Sequence, residues 1–152
     1  MTEAHTVTKE VYNIGDILPD GWILMGVSPD REVPFSCEPS ATASNAYETW
    51  YSGNRRADDL RSKGHMTARL PSIYELKVIW EKVVKAGRNE NANFDTHEGL
   101  FGGYWSNSPM QNDRQGRICT LGLKTGKIHW DLRESKLSRV RLVRDEPGLK
   151  LG

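Results

Sequence analysis

The side chains with the greatest capacity for chemistry lie late in the chain. Arg114, Arg117, Lys124, Lys127, Arg133, Lys136, Arg139 and Arg141 form a basic series, preceded by Asn107 and Asn112 and interrupted by His129. Guanidinium forks grip sulfate, phosphate or carboxylate groups, and amides hydrogen-bond hydroxyls. If the turns carrying these residues meet, they form a basic rim suited to an anionic surface. The expected contact set is Asn107, Asn112, Arg114, Arg117, Lys127, His129 and Arg133. The competing reading is a solvated strand face with scattered ion pairs to Asp131, Glu134 and Asp145.

Other reactive side chains lack companions. His5, His65, His97 and His129 show no ligand spacing with each other or with a cysteine, so no metal site is expected. Cys37 and Cys119 have no base nearby in sequence. They read as free thiols, with an inter-chain disulfide as the alternative. Asp58 and Asp59 fall on a helical segment. Their side chains there diverge by about 100°, which does not make a hydrolytic carboxylate pair. The run from Gly99 to Gly103 lacks the Lys-Ser/Thr of a phosphate-binding loop. No catalytic residue and no cofactor is expected, and nucleic acid is not an expected partner.

These residues must be positioned by an α+β order of elements. The apolar run Trp22–Val27 is bounded by turns and reads as a strand. Val33–Cys37 reads as a short edge strand, because Pro34 cannot donate to a ladder. A first helix is predicted over about residues 44–63, with Ser44 as N-cap, Gly64 past its end and Gly53 as a weak point. Ser72 and Glu75 form a capping box that opens a second helix. Ile73, Leu76, Trp80 and Val83 make its apolar stripe, and Gly87 ends it. Residues 88–103 read as a loop. Strands follow from Gly103 to Ser106, Arg117 to Leu123, Lys127 to Leu132 and Ser138 to Arg144. Alternation puts Ile128, Trp130 and Leu132 on one strand face and Lys127, His129 and Asp131 on the other. Trp105 and Trp130 are expected in the core; left exposed, either would offer a surface for a sugar ring or a partner.

Composition narrows the class. The chain has 152 residues, 37% hydrophobic and 27% charged, with five Trp, five Tyr and three Phe, which suits one domain with a real core. No run approaches the 18 apolar residues of a membrane span. Met1 to Glu10 is polar, so no secretory leader is expected. The expectation is cytoplasmic synthesis, with incorporation into a virion and export by another route both left open and the final compartment unassigned. The net charge of +1 is unevenly spread: residues 1–50 carry two basic and eight acidic side chains, and residues 101–152 carry ten and five.

Several segments in order resemble a known family. Arg69-Leu70-Pro71-Ser72 with Glu75-Leu76 resembles the Trp-Arg-Leu-Pro-Thr…Glu-Leu signature of the Lcl C-terminal domain family, which ends certain bacterial collagen-like adhesins. Gly103-Tyr104-Trp105-Ser106-Asn107-Ser108 resembles its Tyr-Trp-Ser-Ser-Thr element, and Ser138–Arg144 resembles its closing Val-Arg-x-Val-Arg. The likeness runs from about residue 14 to 145. Ala68 departs from the family's Trp, and Asn107-Ser108 from its Ser-Thr. The resemblance implies a C-type-lectin-like fold: two helices packed on a twisted, mostly antiparallel sheet, with a long loop region. It implies a non-enzymatic binding or adhesion module that recognises a glycan or protein surface, in some members a sulfated glycan. The alternative is a structural subunit of a larger assembly, such as a phage virion decoration or tail-tip protein, with self-association.

Overall fold

A computed structural model gives the fold and describes residues 10–43, 46–97 and 103–152. It is α+β, with two helices and two small antiparallel sheets. Strands β1 (Ile23–Val27) and β2 (Pro34–Cys37) pair antiparallel, Ile23 opposite Cys37 and Val27 opposite Pro34. Strand β6 (Val143–Asp145) adds to the far side of β2, Cys37 opposite Val143. The expected edge strand is therefore the centre of its sheet. Pro34 is tolerated there because it occupies the first position, where its missing N–H interrupts no interior rung. Its carbonyl accepts from Glu146 N at 2.8 Å.

Helix α1 (Trp50–Ser62) starts at Trp50 rather than near residue 44. Glu48 is committed to an extended bridge with Ser138, so helix cannot form through it. Thr49 is the N-cap, its Oγ1 accepting from Ser52 N at 3.0 Å. Ser44, the expected cap, lies outside the described residues. Gly53 is no accident of composition: a Cβ there would stand 2.8 Å from Val140 Cγ2, so this turn of the helix presses directly on the buried segment that precedes β6.

Helix α2 (Ile73–Ile79) opens with the expected capping box. Ser72 Oγ accepts from Glu75 N at 3.1 Å, and Glu75 Oε1 accepts from Ser72 N at 2.9 Å. The expected continuous α-helix to Gly87 is corrected, because Trp80–Val84 winds as a π-helix. Its signature is Lys85 N donating to Trp80 O at 2.8 Å. The wider turn leaves both Ile79 and Val83 fully buried while Trp80 lies over the turn at Gly126. A Cβ at Gly126 would meet that indole at 2.6 Å, and its φ of +76° also favours glycine.

The later chain forms a second sheet, β3 (Tyr104–Pro109), β4 (Ile118–Leu121) and β5 (Ile128–Asp131), in sequential antiparallel order. The predicted closing strand does not extend this sheet. Residues 138–142 run instead as a strap making single bridges, Ser138 to Glu48 and Arg139 to Tyr104, before Val143 enters β6. One core, including Met25, Phe35, Leu76, Ile79, Tyr104 and Leu121, lies between the sheets and α2. A second, with Ala57, Leu70, Trp105, Ile118, Val140 and Leu142, lies under α1. Among the described residues no helix is long and apolar enough to cross a membrane.

Glu38, buried at the end of β2, ties the strap to both regions. Its carboxylate accepts from Leu142 N at 2.6 Å and from Arg56 Nη1 on α1 at 2.9 Å. Its own N–H donates to Leu142 O at 2.9 Å. Glu38→Ala strands a buried amide and a half-buried guanidinium, and is expected to cost about 3 kcal/mol. Urea denaturation checks this; a loss below about 1 kcal/mol would show the pair to be dispensable.

Candidate functional site

An open groove of about 730 Å³ lies where the start of α2 meets the end of β3 and the outer part of β4 and β5. The construction is local. Asn107 N donates to Pro71 O at 2.8 Å, and Ile73 N donates to Ser108 Oγ at 2.9 Å, so β3 supplies a second cap to the helix. Ser106 Oγ donates to Cys119 O at 2.6 Å and accepts from Ser108 N, which holds the irregular end of β3 against β4.

The floor is ionic. Arg69 pairs with Glu75 at 2.6 Å and with Asp145 at 2.9 Å. Asp145 also accepts two bonds from Arg31 Nε and one from Arg31 Nη2. The Arg-Leu-Pro-Ser…Glu segment thus closes on itself and on β6. The walls are aromatic and polar: Trp130 and Tyr74 with Met110, Gln111, Asn107 and Asp30. Trp130 is 49% exposed and Tyr74 55% exposed. Lys77 Nζ lies 5.6 Å from the Tyr74 ring centre.

Trp130 corrects the expectation that it packs in the core. Ile128 is half-buried, but Trp130 and Leu132 on the same predicted face are exposed. Helix α2 packs against β3 and β4 and does not close over the outer strand's far end. Trp105, by contrast, is fully buried, its Nε1 donating to Glu48 O at 2.8 Å.

Of the expected contact residues, Asn107 lines the groove. Asn112 and Arg114 are exposed in the turn between β3 and β4, Asn112 with a φ of +58°. Arg117 is held by Asp113 through its backbone N–H at 2.7 Å, Nε at 3.0 Å and Nη2 at 3.1 Å. Lys127 and His129 are exposed on β5 and its approach, away from the groove. Arg133 covers the Trp50 ring at 4.7 Å and donates to Gly116 O at 3.2 Å. The continuous basic rim is corrected too. Arg139 and Arg141 are buried, Arg139 against Asp95 and Tyr47, Arg141 against the carbonyl of Ala92 and the Phe94 ring. Sequence reading missed Tyr74, Gln111, Asp30 and Arg31. Tyr74 was within reach, since it sits between Ile73 and Glu75 and falls off the apolar stripe of α2.

The two thiols differ. Burial pushes Cys37 up to about 11, against the pull of neighbouring Arg141. Cys119, beside Trp130 in the groove, is also raised by burial, opposed by a Trp130 hydrogen bond and by Lys77. Neither thiol is an activated nucleophile. Among the described residues, no three His, Cys, Asp or Glu side chains gather to hold a metal ion. No protein-family model matches the chain, and no curated protein matches it.

Two measurements probe this geometry. Native thiol labelling at pH 8 is expected to modify Cys119 slowly and Cys37 only on unfolding; peptide mass mapping separates them. The Arg117 bonds hold the Asp113 carboxyl at about 2, below its ordinary 3.8. A lowered acid contributes stability above its unfolded value, and that contribution is lost as pH falls from about 4 toward 2. Carboxyl NMR titration is expected to return Asp113 toward its ordinary value in Arg117→Ala.

Proposed function

We propose that this chain is a non-enzymatic binding module that recognises a glycan through the groove between α2 and the β3–β5 sheet. The observation that carries the reading is the half-exposed Trp130 indole forming one wall of a groove whose floor is ionic. An exposed indole can cover the apolar face of a sugar ring, with Tyr74 offering a second aromatic surface. Asn107 and Gln111 suit hydroxyl groups, and Lys77, beside the Tyr74 ring, suits a carboxylate or sulfate. The ion pairs of the floor fix the groove before a ligand arrives, which lowers the ordering cost of binding.

The order of strands, two helices and a late antiparallel meander supports a C-type-lectin-like fold. It also supports the resemblance to the Lcl C-terminal domain family. The short self-closing Arg69–Glu75 segment falls on that family's central motif.

The test is a panel of immobilised neutral, uronic and sulfated oligosaccharides, followed by titration of the best binder. Trp130→Ala and Tyr74→Ala are each expected to weaken binding about tenfold or more, with circular dichroism unchanged. Bound oligosaccharide is expected to protect Cys119 from labelling. Affinity that ignores both substitutions, or no binding across the panel, would overturn the reading.

A further inference from the structure

Strand β5 pairs with β4 on one side, and among the described residues no strand pairs with its other side. The ladder phase is fixed by Gly122 N donating to Lys127 O at 3.0 Å. The register continues with Thr120 opposite His129 and Ile118 opposite Asp131. In an antiparallel ladder the hydrogen-bonded pairs alternate. Lys127, His129 and Asp131 therefore aim their backbone groups at β4. Ile128 and Trp130 aim theirs at the open edge. Such an edge is a template for another strand.

The side chains along this edge are self-complementary. An antiparallel two-fold centred on His129 sets Lys127 opposite Asp131 of a second copy, and Asp131 opposite that copy's Lys127. On the other face it sets Ile128 opposite Trp130, twice. Each charge meets its opposite and each apolar side chain meets another, in the close non-hydrogen-bonded and hydrogen-bonded positions respectively. A single two-fold operation satisfies the whole strand, as an isologous interface requires. A like-directed, parallel approach sets Lys127 beside Lys127 and Asp131 beside Asp131.

We infer that β5 is a self-association edge, and that two copies of this chain pair β5 to β5 in antiparallel register about His129, joining two three-stranded sheets into one of six strands. The outward backbone groups of Ile128 and Trp130 carry the pairing. The Lys127–Asp131 pairs set its direction and register. A four-residue strand buries little area, so the dimer is weak. Trp130 borders both the groove and this edge, whereas Lys127 and Asp131 do not line the groove, so charge substitutions at those two positions test the pairing apart from what the groove binds.

Sedimentation equilibrium on the full chain between about 5 µM and 1 mM is expected to show a concentration-dependent dimer of the 17.2 kDa chain. Lys127→Glu and Asp131→Lys each create two like-charge pairs per dimer, and each is expected to weaken self-association about tenfold or more. An equimolar mixture of the two variants restores opposite charges on both sides of the axis and is expected to dimerise again. Asp131 also accepts from Ser135 Oγ, so a variant-free measurement stands beside the charge swap. Hydrogen exchange of the unmodified chain is expected to protect the Ile128 and Trp130 amides at high concentration and release them on dilution. A monodisperse monomer at 1 mM, single variants that associate like the unmodified chain, a mixture that stays monomeric, or concentration-independent exchange would each overturn the inference.

Discussion

A strap of backbone rich in arginine has to be buried, and the fold is arranged around that constraint. Between Ser138 and Asp145 the chain crosses from α1 to the first sheet, and nearly every polar group along it finds a partner from a different element. Ser138 O takes Glu48 N, and Arg139 exchanges bonds with Gly103 and Trp105 of the second sheet. Leu142 is held through both its N–H and its carbonyl by Glu38. Val143 and Arg69 exchange a pair of bonds at 2.9 Å. Arg141, 1% exposed, is carried by the carbonyl of Ala92 at 2.6 Å and by the Phe94 ring at 4.4 Å. A buried cation resting on carbonyls and an aromatic face locks the loop that supplies them, because withdrawing that loop would strand a charge. The apolar residues alternating with these arginines, Val140 and Leu142, fill the core under α1.

The groove inherits its rigidity from the same strap. Asp145, at its end, is shared by Arg31 from the turn after β1 and Arg69 from the segment before α2. Asp145 N–H also donates to Thr67 Oγ1 at 2.9 Å. The floor is thus fixed by groups that already satisfy one another, so a ligand need not neutralise them. What remains open is the upper part: two aromatic surfaces and two amides above a saturated ionic base. Of the basic charge legible in the last third of the sequence, Arg117, Arg133, Arg139, Arg141 and Arg144 are engaged by stacking and pairing, while Arg114, Lys124, Lys127 and Lys136 are exposed.

What the sequence made legible follows from how local each signal is. The Ser72–Glu75 box depends on residues three apart, and it appears as expected. The meander of β3 to β5 follows from alternation and a Gly-containing turn, and it too is present. Elements decided by distant partners were misread. The start of α1 is set by Glu48 bonding to Ser138, ninety residues away in the chain. The centrality of β2 is set by β6, and no property of Val33–Cys37 reveals it. The π-turn after Ile79 depends on Trp80 lying over Gly126, a contact between elements that periodicity cannot carry. For the site, Asn107 was readable because it sits within the Tyr-Trp-Ser segment that anchors β3. Arg114 and Arg117 attracted attention by charge, yet Arg117 is engaged by Asp113 four residues before it. An i, i+4 acid in a turn is a local signal that could have been weighed against display.

Trp130 shows why alternation alone cannot separate core from surface. Ile128, two residues before it, and Cys119, opposite it on β4, pack against the first core, so the face is apolar by pattern. Coverage, however, depends on the reach of α2, which lies across β3 and β4. The outermost strand of a sheet receives the least cover from a helix centred on the other two. An indole placed there keeps an apolar surface in water unless something else meets it. Its ring borders the groove, and its backbone borders the open edge, so the two features are separable in origin. The ring is exposed because the helix ends short, and the backbone is free because the sheet has three strands. Trp130 thus stands where the groove and the open edge meet, its ring on the first and its backbone on the second.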